Sequence, residues 1–477
     1  MTGDQGQPKS FSYQQYRDSM NPDVGSAESA ETIVIEGAQI IDGLGNAPVP
    51  DGTVLIKGAR VAAAGPRASV QVPPGATVID GRGCTALPGL IDVHVHDFSD
   101  ANMALYVRNG VTSIRLAGGH QPSHRALRAR VERGDLVSPR VFTCGYMLDA
   151  TPHAWPGNSY AVDSPAEARR VVRRAVTEEA VDAIIATTLI TRPVLEAIVE
   201  TAHALGVPVT GQIWRCSARD AVETGMDGLD NTSRIPESTA YPRDRLLAYR
   251  SVSERLAMLA SLWTAASRAQ LDEIGLRMAE RGLTFAPEIV SFEAMAGTGD
   301  RDLYADRDWP GHDDLRAKQY DWKNAFIRSA WTAEELTTQE RAVERIKEFS
   351  LLFHKAGGAL AGGTDLGFGG ILMHRELRHF VDAGLTSLEA IRALTRQAAS
   401  FLARDDLGHL MPGATADVVV VRGDPNTDPA ALRNVEHVLI GGREAFSARD
   451  DRPGSSPRAP RSVGAGSSGS TSAAGSA

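Results

Sequence analysis

The chain has few of the features that mark secreted, membrane-spanning or nucleic-acid-binding proteins. It holds three widely spaced cysteines in 477 residues, which suits free thiols in a reducing compartment better than a disulfide framework. No run approaches the roughly 18 apolar residues that a membrane-spanning helix needs. Lysine and arginine number 50 against 59 aspartates and glutamates, a net charge of −9. That balance gives no reason to expect a nucleic-acid or anionic-membrane partner.

The two ends of the chain lack the apolar residues of a folded core. Residues 1–31 are polar and have no apolar segment of the kind that a signal peptide contains. Residues 448–477 are rich in Ser, Gly, Ala and Pro. We therefore expect two disordered tails on a cytoplasmic protein that acts on a small-molecule substrate, with no membrane and no nucleic-acid partner. A homo-oligomer is compatible with the sequence.

Two separate segments have the pattern of short β-strands. Residues 32–87 and 408–447 contain brief Val- and Ile-rich runs between Gly and Pro turns. Because these segments bracket the rest of the chain, they predict one small β-sandwich domain built from both chain ends.

Residues 88–407 alternate strands with helices, which is typical of parallel βα units. Helical patterns such as Pro165–Glu179 and Pro193–Leu205 separate most of the strands. Eight units predict an α/β fold, a (β/α)8 TIM barrel, with a helical insertion at about 236–267 and a second aromatic stretch, 300–331, near its mouth. The predicted strands are Leu90–His96, Thr112–Leu116, Arg140–Cys144, Asp182–Thr187, Pro208–Gln212, Gly228–Asn231, Leu283–Pro287 and Ala359–Thr364.

The end of the first predicted strand carries the strongest chemical signal. In Pro88-Gly89-Leu90-Ile91-Asp92-Val93-His94-Val95-His96, two imidazoles stand two residues apart. Side chains alternate along a strand, so His94 and His96 point to the same face. Same-face His-x-His is metal-ligand geometry, although two ordinary polar residues at a strand end would have the same spacing.

The residues around these histidines resemble the signature opening of the amidohydrolase superfamily. The likeness covers roughly residues 32 to 447 and is closest to the imidazolonepropionase and prolidase-like branch. It implies a barrel with an appended β domain, and an Asp365 that both contacts metal and acts as a base. Further segments that carry the likeness are Gly362-Gly363-Thr364-Asp365, His374-Arg375-Glu376-Leu377, Ala383-Gly384-Leu385-Thr386, Glu389-Ala390, Leu407 through Val420, and Gly423-Asp424-Pro425.

The chain departs from the family pattern at three ligand positions. A typical two-metal member has a Lys or Glu on strand four and a His on each of strands five and six. Here Ile185, Gln212 and Asn231 stand at those places. No Lys occurs from Gly58 through Ala317, and no His from Ala204 through Gly311, so a shifted register does not restore the set. Without a bridging carboxylate, two metal ions about 3.5–4 Å apart would repel each other, so we do not expect a two-metal site.

His94, His96 and Asp365 remain, and the family pattern makes them the candidate metal ligands and catalytic residues. Together they form a 2-His-1-carboxylate set with open positions. Three protein ligands suffice for a catalytic zinc, so we expect at most one divalent metal, with zinc the first choice. The alternative is that no metal binds.

Five further residues are candidates for binding the substrate. Gln212 and Asn231 carry amides that could hydrogen-bond a carbonyl or an oxyanion, or could merely satisfy nearby backbone groups. His153 and His374 resemble family positions near the pocket. Arg115, at the end of the second strand, could anchor a carboxylate, although a salt-bridged barrel arginine is the commoner case.

Three hypotheses for function follow from this reading. The first is an amidohydrolase-like enzyme that cleaves a C–N bond of a small amide or cyclic amide. The second is a metal-independent acid–base enzyme of specialised metabolism on the same fold: a cyclase, isomerase, dehydratase or decarboxylase. The third is a non-catalytic scaffold, which three convergent groups disfavour. No Gly-Lys-Ser/Thr phosphate loop, Cys-x-x-Cys pair or Gly-x-Ser-x-Gly elbow points to another class.

Overall fold

A computed structural model describes most of the chain. Residues 1–30 and 450–477, which form nearly all of the two predicted tails, lie outside the described residues. So do His153 and nearly all of the aromatic stretch after the seventh strand. None of the helices in the described residues is long and apolar enough to cross a membrane. The described ranges are 31–152, 154–231, 233–236, 243–297, 330–365 and 369–449.

The strands and helices of the described residues alternate through the middle of the chain. The strands are β1 (Thr32–Ile40), β2 (Val49–Lys57), β3 (Arg60–Pro66), β4 (Thr77–Asp80), β5 (Cys84–Pro88), β6 (Leu90–Val95), β7 (Val111–Leu116), β8 (Arg140–Thr143), β9 (Met147–Asp149), β10 (Ser159–Ala161), β11 (Ile184–Thr188), β12 (Val209–Ile213), β13 (Gly228–Leu229), β14 (Thr284–Phe285), β15 (Ala359–Leu360), β16 (Val418–Arg422), β17 (Val435–Ile440) and β18 (Arg443–Ser447). The helices are α1 (Asp100–Arg108), α2 (Gln121–Glu132), α3 (Pro165–Thr177), α4 (Arg192–Ala204), α5 (Ala218–Thr224), α6 (Arg243–Leu247), α7 (Val252–Ala265), α8 (Arg268–Glu280), α9 (Ile289–Ala296), α10 (Ala333–Lys355), α11 (Ile371–Ala383), α12 (Ser387–Arg392) and α13 (Ala398–Phe401).

Strands from both ends of the chain join in one eight-stranded sheet. Its order is β18-β17-β16-β5-β1-β2-β3, with β4 paired to β1. β16 runs antiparallel to β5, so that Val418 lies opposite Pro88 and Arg422 opposite Cys84. Ile35, Val54 and Val420 are among the fully buried residues of its core. The predicted pairing of the two ends is thus present in the hydrogen bonding, while their arrangement as a two-layer sandwich stays a prediction.

All eight strands predicted between residues 88 and 407 are present and parallel to their paired neighbours. They lie in three sheets, β6-β7-β8, β10-β9-β11-β12 and β13-β14-β15. Backbone hydrogen bonds also join the sheets: Asp182 N to Thr143 O (2.8 Å), Asp230 N to Gly211 O (2.9 Å), and Val93 N to Gly362 O (3.0 Å). The short strands β9 and β10, which follow β8, were not predicted.

The helices form where the apolar spacing and end residues predict them. α3 begins after Ser164, whose side chain accepts from the Glu167 backbone N–H, and has Pro165 at its first turn. Its buried residues, which include Ala168, Val171 and Val172, recur every three or four positions and face the core. The predicted insertion at about 236–267 holds α6 and α7. It is tied to the end of β12 by Trp214, whose indole N–H donates to Leu246 O at 2.8 Å.

Candidate active site

The carboxyl end of β6 and the segment after β15 bring three predicted ligands together. His94 Nε2 and His96 Nε2 are 3.1 Å apart. Asp365 Oδ1 lies 3.4 Å from His96 Nε2 and 3.8 Å from His94 Nε2. His94 is fully buried, the Asp365 side chain is 13% exposed and the His96 side chain is 42% exposed. The three groups therefore form a cluster that solvent reaches from the His96 side.

The spacing of these three atoms fits one metal ion. Atoms bound to zinc at about 2.0–2.1 Å in a tetrahedral site lie about 3.3–3.4 Å from one another. The observed separations of 3.1, 3.4 and 3.8 Å bracket that value. Two imidazoles and a carboxylate are also the donor set of single-ion sites with open positions. The residues present thus fit a single divalent ion.

His96 is oriented by the backbone of the loop after β7. Its Nδ1 lies 3.3 Å from Gly118 O. Because a carbonyl oxygen only accepts hydrogen bonds, Nδ1 of the neutral ring must be the protonated nitrogen, and the Nε2 lone pair then faces His94 and Asp365. Gly118 has a φ of 98°, and a Cβ there would lie 2.3 Å from Met147 Cγ, so this position requires glycine.

The Asp365 carboxylate is held by two neutral donors. Its Oδ2 accepts from Asn231 Nδ2 at 3.1 Å and from the Ser291 hydroxyl at 3.3 Å. Its backbone N–H donates to His94 O at 2.9 Å, and its φ of 51° is in the left-handed region. Non-glycine residues occupy that region at a cost, and such strain is concentrated at functional sites. The arrangement leaves Oδ1 facing the imidazoles.

The second nitrogen of His94 faces two buried acids that the sequence reasoning missed. His94 Nδ1 is 2.9 Å from Glu288 Oε1 and 3.6 Å from Asp230 Oδ2, and all three side chains are fully buried. Their ligand atoms form one of two His/Cys/Asp/Glu groups that lie within 4.8 Å in the described residues, the other being His94, His96 and Asp365. Glu288 directly follows the predicted seventh strand, and Asp230 precedes Asn231, so both stand where strands deliver site residues.

The structure places Arg115 inside the fold. Its Nη2 contacts Asp230 at 3.0 and 3.1 Å, its Nη1 donates to Thr210 Oγ1 at 2.6 Å, and its Nε donates to Val93 O. The side chain is 1% exposed. This geometry favours the salt-bridged alternative over a role in anchoring a substrate carboxylate.

The two predicted amides both reach the cluster. Gln212 Nε2 lies 3.0 Å from His94 Nε2, while Asn231 donates to Asp365 as described above. Ile185, at the family's strand-four position, is buried among Ala117, Cys144 and Met147. Ile185 therefore offers no metal-binding group at that position.

Of the two predicted histidines His153 and His374, only His374 lies in the described residues, and it does not join the cluster. His153 lies outside them. His374 is buried on α11, and burial together with the charge of Arg433 lowers its pKa to about 3. In the described part of the chain no hydrogen bond or ion pair joins His374 to His94, His96 or Asp365, and its role in binding the substrate stays a prediction.

One more buried acid, Asp92, contacts the backbone of the two segments that carry His94 and Asp365. Asp92 accepts from Thr364 Oγ1 at 2.7 Å and from the backbone N–H of Thr364 and of His94, each at 3.1 Å. Burial raises the pKa of Asp92 to about 7, although these hydrogen bonds oppose the shift. Asp92 thus links β6 to the segment that carries Asp365 and helps to fix the distance between them.

Comparison with known proteins gives matches consistent with this geometry. The sequence model of the amidohydrolase family matches residues 334–445. Imidazolonepropionase of Rubrobacter xylanophilus is 32% identical over 142 residues, which cover 27% of this chain and 34% of that protein. The matches span 14% to 34% of the curated relatives' own lengths.

Solved structures extend the likeness to most of the fold. A bottromycin amidohydrolase structure has a TM-score of 0.68 at 22% identity and covers 92% of this chain and 94% of its own. A Xaa-Pro dipeptidase with bound methionine in the active site has a TM-score of 0.65 at 19% identity and covers 87% of this chain and 100% of its own. Residues 334–445 thus match the amidohydrolase family, and the chain shares its mixed α/β fold with these solved structures.

Proposed function

We propose that the protein hydrolyses the C–N bond of a small amide or cyclic amide with one divalent metal ion, which His94 Nε2, His96 Nε2 and Asp365 Oδ1 would hold. The observation that carries the proposal is the convergence of these three atoms within 3.1 to 3.8 Å. A cation among these atoms would relieve the repulsion between their lone pairs, which in the metal-free protein a proton shared between two of them can relieve. A bound divalent ion would polarise a substrate carbonyl and lower the pKa of bound water to about 7.

The fold that supports this site is, in our proposal, a closed (β/α)8 barrel. Ten parallel strands lie between β6 and β15, and eight of them, all but β9 and β10, are the predicted barrel strands. Backbone hydrogen bonds bridge the gaps between their sheets. Two of these bonds, from Val93 N to Gly362 O and from Asp365 N to His94 O, join the last strand region to the first. Residues 88–407 would then form the catalytic domain, with the site at the carboxyl ends of the strands.

The residues of the cluster have separate tasks in this hydrolysis. Asp365 takes a proton from the attacking water as the water oxygen bonds to the carbonyl carbon. The C–N bond then breaks, and the same carboxyl group returns the proton to the leaving nitrogen. Asn231 and Ser291 hold Oδ2, so that only Oδ1 is turned to the reacting groups. The amide of Gln212 is placed to hydrogen-bond the substrate carbonyl.

The relatives suggest which substrates to test. Imidazolonepropionase and a Xaa-Pro dipeptidase act on different C–N bonds, so both peptide and cyclic amide substrates belong in the test. We therefore propose a panel of Xaa-Pro dipeptides, N-acetyl amino acids and small cyclic amides, scored by release of the amine or acid.

Metal content and activity, measured together, test the proposal. Protein purified without added metal and then loaded with zinc or manganese should bind one ion per chain and lose turnover on chelation. His96→Asn and Asp365→Asn should lose the ion and at least 100-fold in rate, about 2.7 kcal/mol of barrier. The matched control is His409→Asn, a half-buried histidine bonded to Asp405 O, which should change neither the metal content nor the rate. Full turnover by metal-free protein would overturn the proposal in favour of metal-independent acid–base chemistry, and a stoichiometry of two would overturn the single-ion site.

A further inference from the structure

The environment of His94 is unlike that of His96. Both nitrogens of the His94 ring are inside the protein, and its Nδ1 is 2.9 Å from Glu288 Oε1. Asp230 is farther away, at 3.6 Å, and its two oxygens are contacted by Arg115 at 3.0 and 3.1 Å. Glu288 is therefore the acid with direct control over Nδ1.

The backbone is arranged to deliver Glu288 to this position. Glu288 has a φ of 48°, in the left-handed region, immediately before α9. The next two backbone N–H groups, of Ile289 and Val290, donate to the Glu376 carboxylate at 3.0 and 2.9 Å. A strained residue persists where its surroundings over-determine it, and strain of this kind accompanies functional positions.

Gly363 provides the space that this contact needs. A Cβ at Gly363 would lie 3.0 Å from Glu288 Cγ and 3.1 Å from His94 Cβ. Both distances are tighter than ordinary van der Waals contact, so a larger residue would push the two side chains apart. The second glycine of Gly362-Gly363-Thr364-Asp365 thus belongs to the same arrangement as Glu288 and His94.

We propose that Glu288 is a positioning residue that fixes His94 as its Nδ1–H tautomer and so presents the Nε2 lone pair to the cluster. A carboxylate oxygen 2.9 Å from Nδ1 favours a proton on that nitrogen by charge attraction, and a proton on Nδ1 of a neutral ring leaves Nε2 bare. In the metal-free protein the Gln212 amide, whose nitrogen is 3.0 Å from His94 Nε2, can donate to that lone pair, and a metal ion bound there would displace this hydrogen bond. A carboxylate behind a ligand histidine also raises its basicity and fixes its orientation.

The inference rests on the proposed single-ion site for its purpose but can be tested without metal. Nitrogen-15-labelled histidine in metal-free protein reports which ring nitrogen carries the proton, and the His94→Asn variant identifies the His94 signals. We expect Nδ1–H for the wild-type protein. Glu288→Gln keeps an oxygen acceptor and should keep that tautomer, whereas Glu288→Leu should shift His94 toward Nε2–H. A wild-type Nε2–H ring, or a tautomer unchanged in Glu288→Leu, would overturn the proposal.

Cobalt binding, followed by visible absorption, measures the consequence for the metal. Loss of a carboxylate behind a ligand histidine typically weakens binding about 10- to 100-fold, and we expect this for Glu288→Leu and a smaller loss for Glu288→Gln. The matched control is Glu444→Gln, an acid of the eight-stranded sheet that lies 2.7 Å from Nδ1 of His437 instead of His94. Equal affinity for wild type and Glu288→Leu contradicts the inference, as does equal weakening in the control. If the wild type binds no cobalt, the proposed function fails while the tautomer measurement still decides the role of Glu288.

Discussion

Glu293 offers the sharpest test of how the helix that carries Glu288 and Ser291 is held in place. Its carboxylate, in α9, accepts from Arg375 Nε and from His379 Nε2, each at 3.0 Å, and both partners lie on α11. Burial alone would raise the pKa of Glu293, but the hydrogen bonds from His379 and Arg375 outweigh it and lower the pKa to about 2. His379 donates as a neutral ring, because burial lowers its own pKa.

The lowered pKa sets both the size and the pH range of the effect. A shift from 4.5 to about 2 corresponds to about 3 kcal/mol of folding free energy at pH 7. Because the pKa is lower in the folded state, this contribution is complete above the unfolded-state value and is lost as the pH falls through about 2. About 1 kcal/mol of it should remain at pH 3.

Urea unfolding of the wild type and Glu293→Gln at pH 7, 4 and 3, followed by tryptophan fluorescence, measures this effect. The free-energy gap between them should be about 3 kcal/mol at pH 7 and narrow to about 1 kcal/mol at pH 3. The control is Glu344→Gln, which removes an exposed pair with Lys347 and should cost under about 1 kcal/mol at every pH. A difference in unfolding free energy below 1 kcal/mol at pH 7, or a difference that does not become smaller at pH 3, would show that the Glu293 carboxylate does not stabilise the fold in this way.

Two further predictions concern the same region. Gly363→Ala should weaken cobalt binding and cost about 1–3 kcal/mol of unfolding free energy in urea, because its Cβ would press on Glu288 and His94. The control is Gly65→Ala, where the atom nearest to the added Cβ is 3.6 Å away, and this variant should bind cobalt normally. Equal behaviour of the two variants would contradict the steric argument. Burial raises the pKa of Glu376 to about 8 despite two backbone hydrogen bonds. Its contribution to stability is therefore complete below about pH 4.5 and is lost as the pH rises toward 8, by about 4 kcal/mol. Glu376→Gln should lack this loss, so unfolding curves with parallel pH dependence from pH 5 to 8 would exclude a shifted acid here.

The sequence identified the parts of the site that depend on one strand or one motif. His94 and His96 share a face because of simple alternation, and Asp365 follows a recognisable Gly-Gly-Thr-Asp segment. The positions of all eight central strands followed from runs of Val, Ile and Ala between turn residues. The ring closure of those strands could not be read from such runs and remains a proposal.

The missed residues depend on contacts between distant segments. Glu288 reaches His94 only because its backbone turns through a left-handed conformation, which no local pattern signals. For Arg115 the sequence leaves both substrate binding and a salt bridge open, because its partner, Asp230, lies 115 positions away along the chain and no local pattern identifies it. Ser291 stands in the first turn of a buried apolar helix, where a serine gives no indication that its hydroxyl faces Asp365.

The mixed origin of the eight-stranded sheet has a consequence for biosynthesis. β5 ends two residues before the strand that bears His94, and it pairs with β16. Beside this pairing, the Thr85 hydroxyl donates a hydrogen bond to Gly423 O, 338 positions later in the chain. A ribosome must therefore release almost the whole polypeptide before β5 gains β16 as its neighbour. Such distant pairing slows folding and leaves an open strand edge in the nascent protein. We therefore expect this protein to depend on chaperones during translation more than a protein whose strands all pair with segments synthesised shortly before or after them.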